Sequence, residues 1–124
     1  MPRQPRLFYE DVPQHVIQRG NNRQPCFGSD ADRHLYLKML MEASQAHACT
    51  VHAYVLMSNH VHLLVTGSRA CAIPKMIQTL GRRFVHYFNK TYKRSGTLWE
   101  GRYKACLVAV RYCACRFCVP WDNR

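Results

Sequence analysis

The pair His60-Val61-His62 is where residue type and spacing point to chemistry. Residues two apart on a strand project to the same face, so the two imidazoles stand side by side while Val61 points the other way. Two neighbouring imidazoles on a rigid strand can grip one divalent metal ion. An isolated pair of this kind is more often two half-buried histidines satisfied by hydrogen bonds. Its weight therefore depends on the rest of the chain.

The elements that must position the pair are legible in the hydrophobic pattern. Tyr54, Val55, Leu56 and Met57 precede it, Leu63, Leu64 and Val65 follow it, and Ser58-Asn59 between them is turn chemistry. A strand pair is predicted there. An earlier strand is predicted over 15–19, ending at the Gly20-Asn21-Asn22 turn, with a loop continuing to Ser29. Asp30 opens a helix to about residue 47, with Leu35, Leu37, Met39, Leu40 and Ala43 along it. After Gly67-Ser68, Met76, Ile77, Leu80, Phe84, Tyr87 and Phe88 mark a second helix over 73–92. Ser95-Gly96 breaks the pattern, and 104–110 reads as a fourth strand.

The resulting order β-α-β-β-α-β is the ferredoxin-like split unit, an α+β fold whose antiparallel sheet carries the histidine pair. The 124 residues suffice for one domain with a real core, spanning 1–124. Lys and Arg number 18 against 7 Asp and Glu, giving a net charge of +11 and calling for a polyanionic partner. Nucleic acid comes first. No apolar run is long enough to span a bilayer, so a membrane partner is not expected. No signal-like segment follows Met1, and seven cysteines, an odd number, fit a reducing compartment; the expected location is the cytoplasm. An RNA-recognition domain shares this topology but stacks bases on aromatic residues of its central strands. Here histidines occupy the sheet.

Three separated blocks now become specific. They are 15–24, with Gln18-Arg19-Gly20-Asn21-Asn22-Arg23; 54–65, around the histidine pair; and Gly96-Thr97-Leu98-Trp99-Glu100-Gly101-Arg102-Tyr103-Lys104. Together they strongly resemble the single-tyrosine HUH transposases, above all the REP-associated tyrosine transposases, relatives of the insertion sequence 200-like enzymes. The resemblance covers residues 1 to about 108. It implies metal-dependent nicking of single-stranded DNA and strand transfer, in which a tyrosine attacks the scissile phosphate and forms a phosphotyrosine intermediate. It further implies that His60 and His62 are metal ligands, that a third polar ligand completes the site, and that the ion is Mg²⁺ or Mn²⁺, with imidazole favouring Mn²⁺. The implied partner is single-stranded or hairpin DNA, and family members commonly act as homodimers.

The basic residues then read as a DNA-binding set: Arg19, Arg23, Arg82, Arg83, Lys90, Lys93, Arg94, Arg102 and Lys104. Trp99, in a loop beside Arg102, is a candidate for base or sugar contact, or else a hydrophobic plug. Phe84, Tyr87 and Phe88 are expected in the core, and Asn59 is expected to fix the turn.

The tail departs from the family pattern. Residues 109–124 lack a recognisable nucleophile helix and third ligand, and Tyr112 is the tyrosine that follows the fourth strand. It is the candidate nucleophile, although its register fits a structural tyrosine better. Cys113, Cys115 and Cys118, with Cys106 distant, make a poor zinc set, and a frameshifted or truncated C-terminus accounts for this tail better. Two functions of different class follow. One is a metal-dependent nicking and strand-transfer enzyme. The other is a catalytically inactive, truncated DNA-binding remnant of such a transposase.

Overall fold

A computed structural model describes residues 11–108. Tyr112, Cys113, Cys115 and Cys118 lie outside the described residues. The elements are β1 (Gln14–Arg19), α1 (Asp30–Ala46), β2 (Cys49–Leu56), β3 (His60–Gly67), α2 (Ala72–Thr91) and β4 (Lys104–Leu107), with a short 3-10 turn at Asn21–Arg23.

Local chemistry explains both helices. Ser29 caps α1 by accepting the Asp32 N–H at 3.4 Å, and Asp30 and Asp32 place negative charge in its first turn, where the helix dipole favours it. Tyr36, Met39, Leu40 and Ala43 recur three to four residues apart and form its buried stripe. In α2, Ile73, Met76, Ile77, Leu80, Phe84 and Phe88 do the same. Both stripes pack on one face of the sheet, against Val16, Val61, Leu63 and Val65.

The sheet is antiparallel in the order β2-β3-β1-β4, the arrangement a split β-α-β unit requires. Its register pairs Val16 with Leu63, Ile17 with His62 and Arg19 with His60, while Ile17 also faces Lys104. Cross-strand partners share a face, so alternation sends Val16, Val61, Leu63 and Val65 toward the helices. It sends His15, Ile17, Arg19, His60, His62 and Lys104 to the other face. Among the described residues no helix lies on that second face, where His60 and His62 are half-buried.

The predicted α+β fold is the one observed. β2 begins at Cys49, well before the predicted apolar run, because a bulge between Val51 and Ala53 displaces His52 and breaks the alternation. The predicted strand over 104–110 is seen as β4, and its last two residues lie outside those described.

Candidate functional site

The three blocks of the sequence converge at one end of the sheet. The loop between β2 and β3 is closed by the Met57 N–H donating to the His60 carbonyl at 2.9 Å. It is held from outside by Gly20 N–H on the Asn59 carbonyl at 2.9 Å and Cys26 N–H on the Ser58 carbonyl at 2.8 Å. Glycine is required at position 20, since a Cβ there would sit 2.2 Å from the Gln24 carbonyl oxygen. The Gly96 block lies along the end of β1 through Asn21 N–H to Leu98 O and Glu100 N–H to Arg19 O, each 2.7 Å. The histidine pair therefore sits on a strand whose end is clamped from two sides.

Within the pair, the rings of His60 and His62 are 4.9 Å apart and inclined at 76°. His60 Nδ1 lies 2.8 Å from Asn59 Oδ1, and an amide oxygen only accepts, so Nδ1 carries the proton and Nε2 keeps its lone pair. His62 Nδ1 lies 2.9 Å from His15 Nε2. Burial, and then the Arg19 charge, hold His60 below the ordinary imidazole value. Burial lowers His62 as well, followed by His15, His60 and Arg19. Both rings are thus neutral at pH 7, the form that binds metals. Among the described residues no cluster of three or more His, Cys, Asp or Glu is arranged to hold a metal ion. The imidazoles on this face are those of His60 and His62, with His15 hydrogen-bonded to His62.

Beside the pair, an open cleft of about 420 Å³ is lined by Ile17, Arg19, Glu100, Gly101, Arg102, Tyr103 and Lys104. Ile17 and Arg19 are the cross-strand partners of His62 and His60, so cleft and pair share a floor. Arg19, Arg102 and Lys104 are exposed there and make its rim basic, with Glu100 as the opposing charge.

The other sequence candidates are distributed differently. Arg23 is exposed on the 3-10 turn just beyond Arg19, in a left-handed conformation at φ 57°. Lys90 and Lys93 are exposed around the end of α2. Arg82 and Arg83 lie on α2 in the helical layer, opposite the histidine face, and Arg83 pairs with Glu42 at 2.9 Å. Arg94 is a fastener rather than a free cation. Its guanidinium bonds Asn89 Oδ1 at 2.5 Å, Gln24 Oε1 at 3.1 Å and the Thr97 carbonyl at 3.3 Å, and it lies over Phe88. Trp99 is the hydrophobic plug and not a base-contacting platform, because it is 7% exposed and packs on Phe84.

Sequence reasoning missed His15 entirely. It also placed Tyr87 in the core without seeing that its hydroxyl, like that of Tyr92, donates to buried Asp32. The signal for His15 was its position on β1 with the parity of Arg19, which becomes meaningful only once the β1–β3 register is known. Tyr112 lies outside the described residues.

Solved structures share this architecture. A REP-associated tyrosine transposase bound to a REP hairpin superposes with a TM-score of 0.71 at 12% identity, over 88% of this chain and 63% of that one. The chain thus spans less than two thirds of that protein. A candidate transposase from Deinococcus radiodurans R1 gives 0.65 at 19% identity, over 88% of both chains. At these identities the likeness is one of fold. A comparison with curated proteins returns no match. Residues 9–114 match the family described as "Transposase IS200 like", and the chain belongs to that family of transposases.

Proposed function

We propose that the chain carries out metal-dependent nicking and strand transfer of single-stranded DNA through a phosphotyrosine intermediate. The observation that carries this reading is the placement of two side-by-side imidazoles, both shifted by burial toward the neutral form, on a sheet face that no described helix covers and whose adjoining cleft is rimmed by Arg19, Arg102 and Lys104. His60 and His62 would hold the ion, Mg²⁺ or Mn²⁺, with imidazole donors favouring Mn²⁺. When bound, the ion supplies Lewis-acid polarisation of the scissile phosphate.

The chain's own groups do the rest. Arg19, Arg102 and Lys104, which line the same cleft, neutralise phosphate charge along the DNA. The attacking tyrosine hydroxyl, for which Tyr112 is the candidate, forms a P–O bond as the bond to the 3′ oxygen breaks. The products are a 5′-phosphotyrosine and a free 3′-hydroxyl, and attack by a 3′-hydroxyl on the phosphotyrosine reverses the exchange with the tyrosine as leaving group. The partner is single-stranded or hairpin DNA, in keeping with the REP hairpin held by the structural relative.

Incubation of the purified chain with a labelled single-stranded hairpin and Mn²⁺ tests this. A covalent protein–DNA adduct is expected, absent from His60→Ala and Tyr112→Phe. An adduct that survives Tyr112→Phe overturns the assignment of that tyrosine. Binding with no adduct in the wild type overturns the enzymatic reading in favour of a DNA-binding remnant.

A further inference from the structure

We infer that His15 is a positioning residue for the metal-binding pair: its Nε2 accepts a hydrogen bond from His62 Nδ1–H and so turns the bare Nε2 of His62 outward as the ligand atom. The inference rests on the proposed metal site at His60 and His62.

The geometry begins with the register. His15 pairs with Leu64 and Ile17 with His62, so His15 and His62 are diagonal neighbours on the open face, within reach of long side chains. Their ring nitrogens are 2.9 Å apart, with ring planes 19° from parallel and centroids 5.1 Å apart. That is a nearly coplanar, edge-to-edge arrangement, the one an N–H···N hydrogen bond requires.

The direction of the bond follows from what ligation demands. If His15 donated, His62 would accept on Nδ1 and carry its own proton on Nε2, leaving neither nitrogen able to bind a metal. If His62 donates, its Nε2 keeps a lone pair. Only the second arrangement makes a ligand, and it is the one Asn59 imposes on His60 through the same ring position. Both ligands are then held in one tautomer by partners outside the pair, Asn59 from the hairpin loop and His15 from the adjacent strand. Partners of this kind set ring orientation and raise ligand basicity, and their loss weakens metal affinity by about 10- to 100-fold.

Long-range ¹H–¹⁵N correlation spectra of the metal-free full chain read the tautomer directly. His62 is expected as the Nδ1–H form in the wild type and in His15→Gln, whose side-chain oxygen can accept the same bond. It is expected to revert to the Nε2–H form, the usual preference of neutral imidazole, in His15→Phe, which keeps a flat ring without an acceptor. Titration with Mn²⁺, followed by the electron paramagnetic resonance of the free ion, should show affinity about tenfold or more weaker in His15→Phe and close to wild type in His15→Gln.

The inference is overturned by an Nε2–H His62 in the wild type, or by wild-type affinity in His15→Phe. Equal losses in His15→Gln and His15→Phe would make His15 a ligand itself and also overturn it. Mn²⁺ binding that is the same in wild type and His60→Ala removes the metal site, and with it any role for His15 there. Retained far-ultraviolet circular dichroism in both His15 variants separates these outcomes from unfolding.

Discussion

Asp32 is the residue on which the helical layer turns. It is 1% exposed, and its carboxylate accepts from Tyr87 at 2.5 Å on Oδ1, and from Gly28 N–H at 2.7 Å and the Tyr92 hydroxyl on Oδ2. These bonds tie the first turn of α1 to the last turn of α2 and the residue that caps it. Beyond that cap runs the segment with Lys93, Arg94 and the Gly96 block, so the tie also supports the cleft beside the histidines. Hydrogen bonds to a charged partner are worth about 1.5–3 kcal/mol each, a gross value of roughly 4.5–9 kcal/mol for the set.

Asp32→Ala does not lose the gross value. Tyr92 and Gly28 are exposed and can bind water instead, and alanine relieves the desolvation of a buried carboxylate. We expect a net loss of about 3 kcal/mol, a large fraction of the roughly 5–15 kcal/mol typical of a domain. Asp32→Asn keeps the shape and one acceptor, its amide can donate to Tyr87, and about 1–2 kcal/mol should be lost. For a chain of this size about 3 kcal/mol corresponds to a fall in Tm of roughly 10–15 °C. Urea unfolding followed by circular dichroism, with Tyr87→Phe made alone and in the Asp32→Ala background, completes a double-mutant cycle. A coupling of about 1–2 kcal/mol between the two residues is expected. A destabilisation below about 0.5 kcal/mol for Asp32→Ala, or a coupling of zero, would refute the reasoning.

The same carboxylate sets an acid limit on stability. Burial alone would raise its pKa, but the hydrogen bonds from Tyr87, Tyr92, Gly28 and Ser29 outweigh it and hold Asp32 below the ordinary aspartate range. A depressed folded-state value means stability present above the unfolded value near about 3.9 and lost as pH falls through the folded one, so unfolding free energy should decline from about pH 5 downward. In Asp32→Asn that part of the decline should vanish, as measured by urea midpoints at about pH 3 and about pH 7; an unchanged decline sinks the assignment. For nucleic-acid binding, Arg19→Gln, Arg102→Gln and Lys104→Gln should each reduce the slope of log K against log salt for a single-stranded hairpin, by roughly 0.7 for each phosphate no longer neutralised. Arg83→Gln, paired with Glu42 on the helical layer, should leave it unchanged, and fluorescence anisotropy across a salt series showing the reverse pattern would move the interface to the helices.

The fold and the histidine pair were legible in the sequence because both rest on short-range periodicity. Apolar spacing of three to four residues marks α1 and α2, and alternation marks β1 and β3, so the six-element order follows from local pattern. Roles that depend on register or packing were not legible. His15 acquires a role only because an antiparallel register sets it diagonal to His62, and no local signal distinguishes it from an ordinary strand histidine. Arg94 and Lys93 are adjacent basic residues, yet one is fastened to Asn89, Gln24 and Thr97 and the other is exposed, a difference made by long-range packing. Trp99 was ambiguous for the same reason: a loop tryptophan reads as exposed until the Gly20–Trp99 bridge draws its loop against β1 and buries the ring on Phe84.

These cases share one physical cause, which bears on where function sits in the fold. The helical face is specified redundantly, by many apolar residues of which each is replaceable at modest cost. The histidine face depends on a few polar side chains whose meaning comes from one cross-strand register. A one-residue slip of β1 against β3 would return the apolar residues of β1 to solvent, so the core that packs Val16 against Leu63 is also what sets His15 beside His62. The precision of the site is thus inherited from hydrophobic packing on the opposite side of the same sheet.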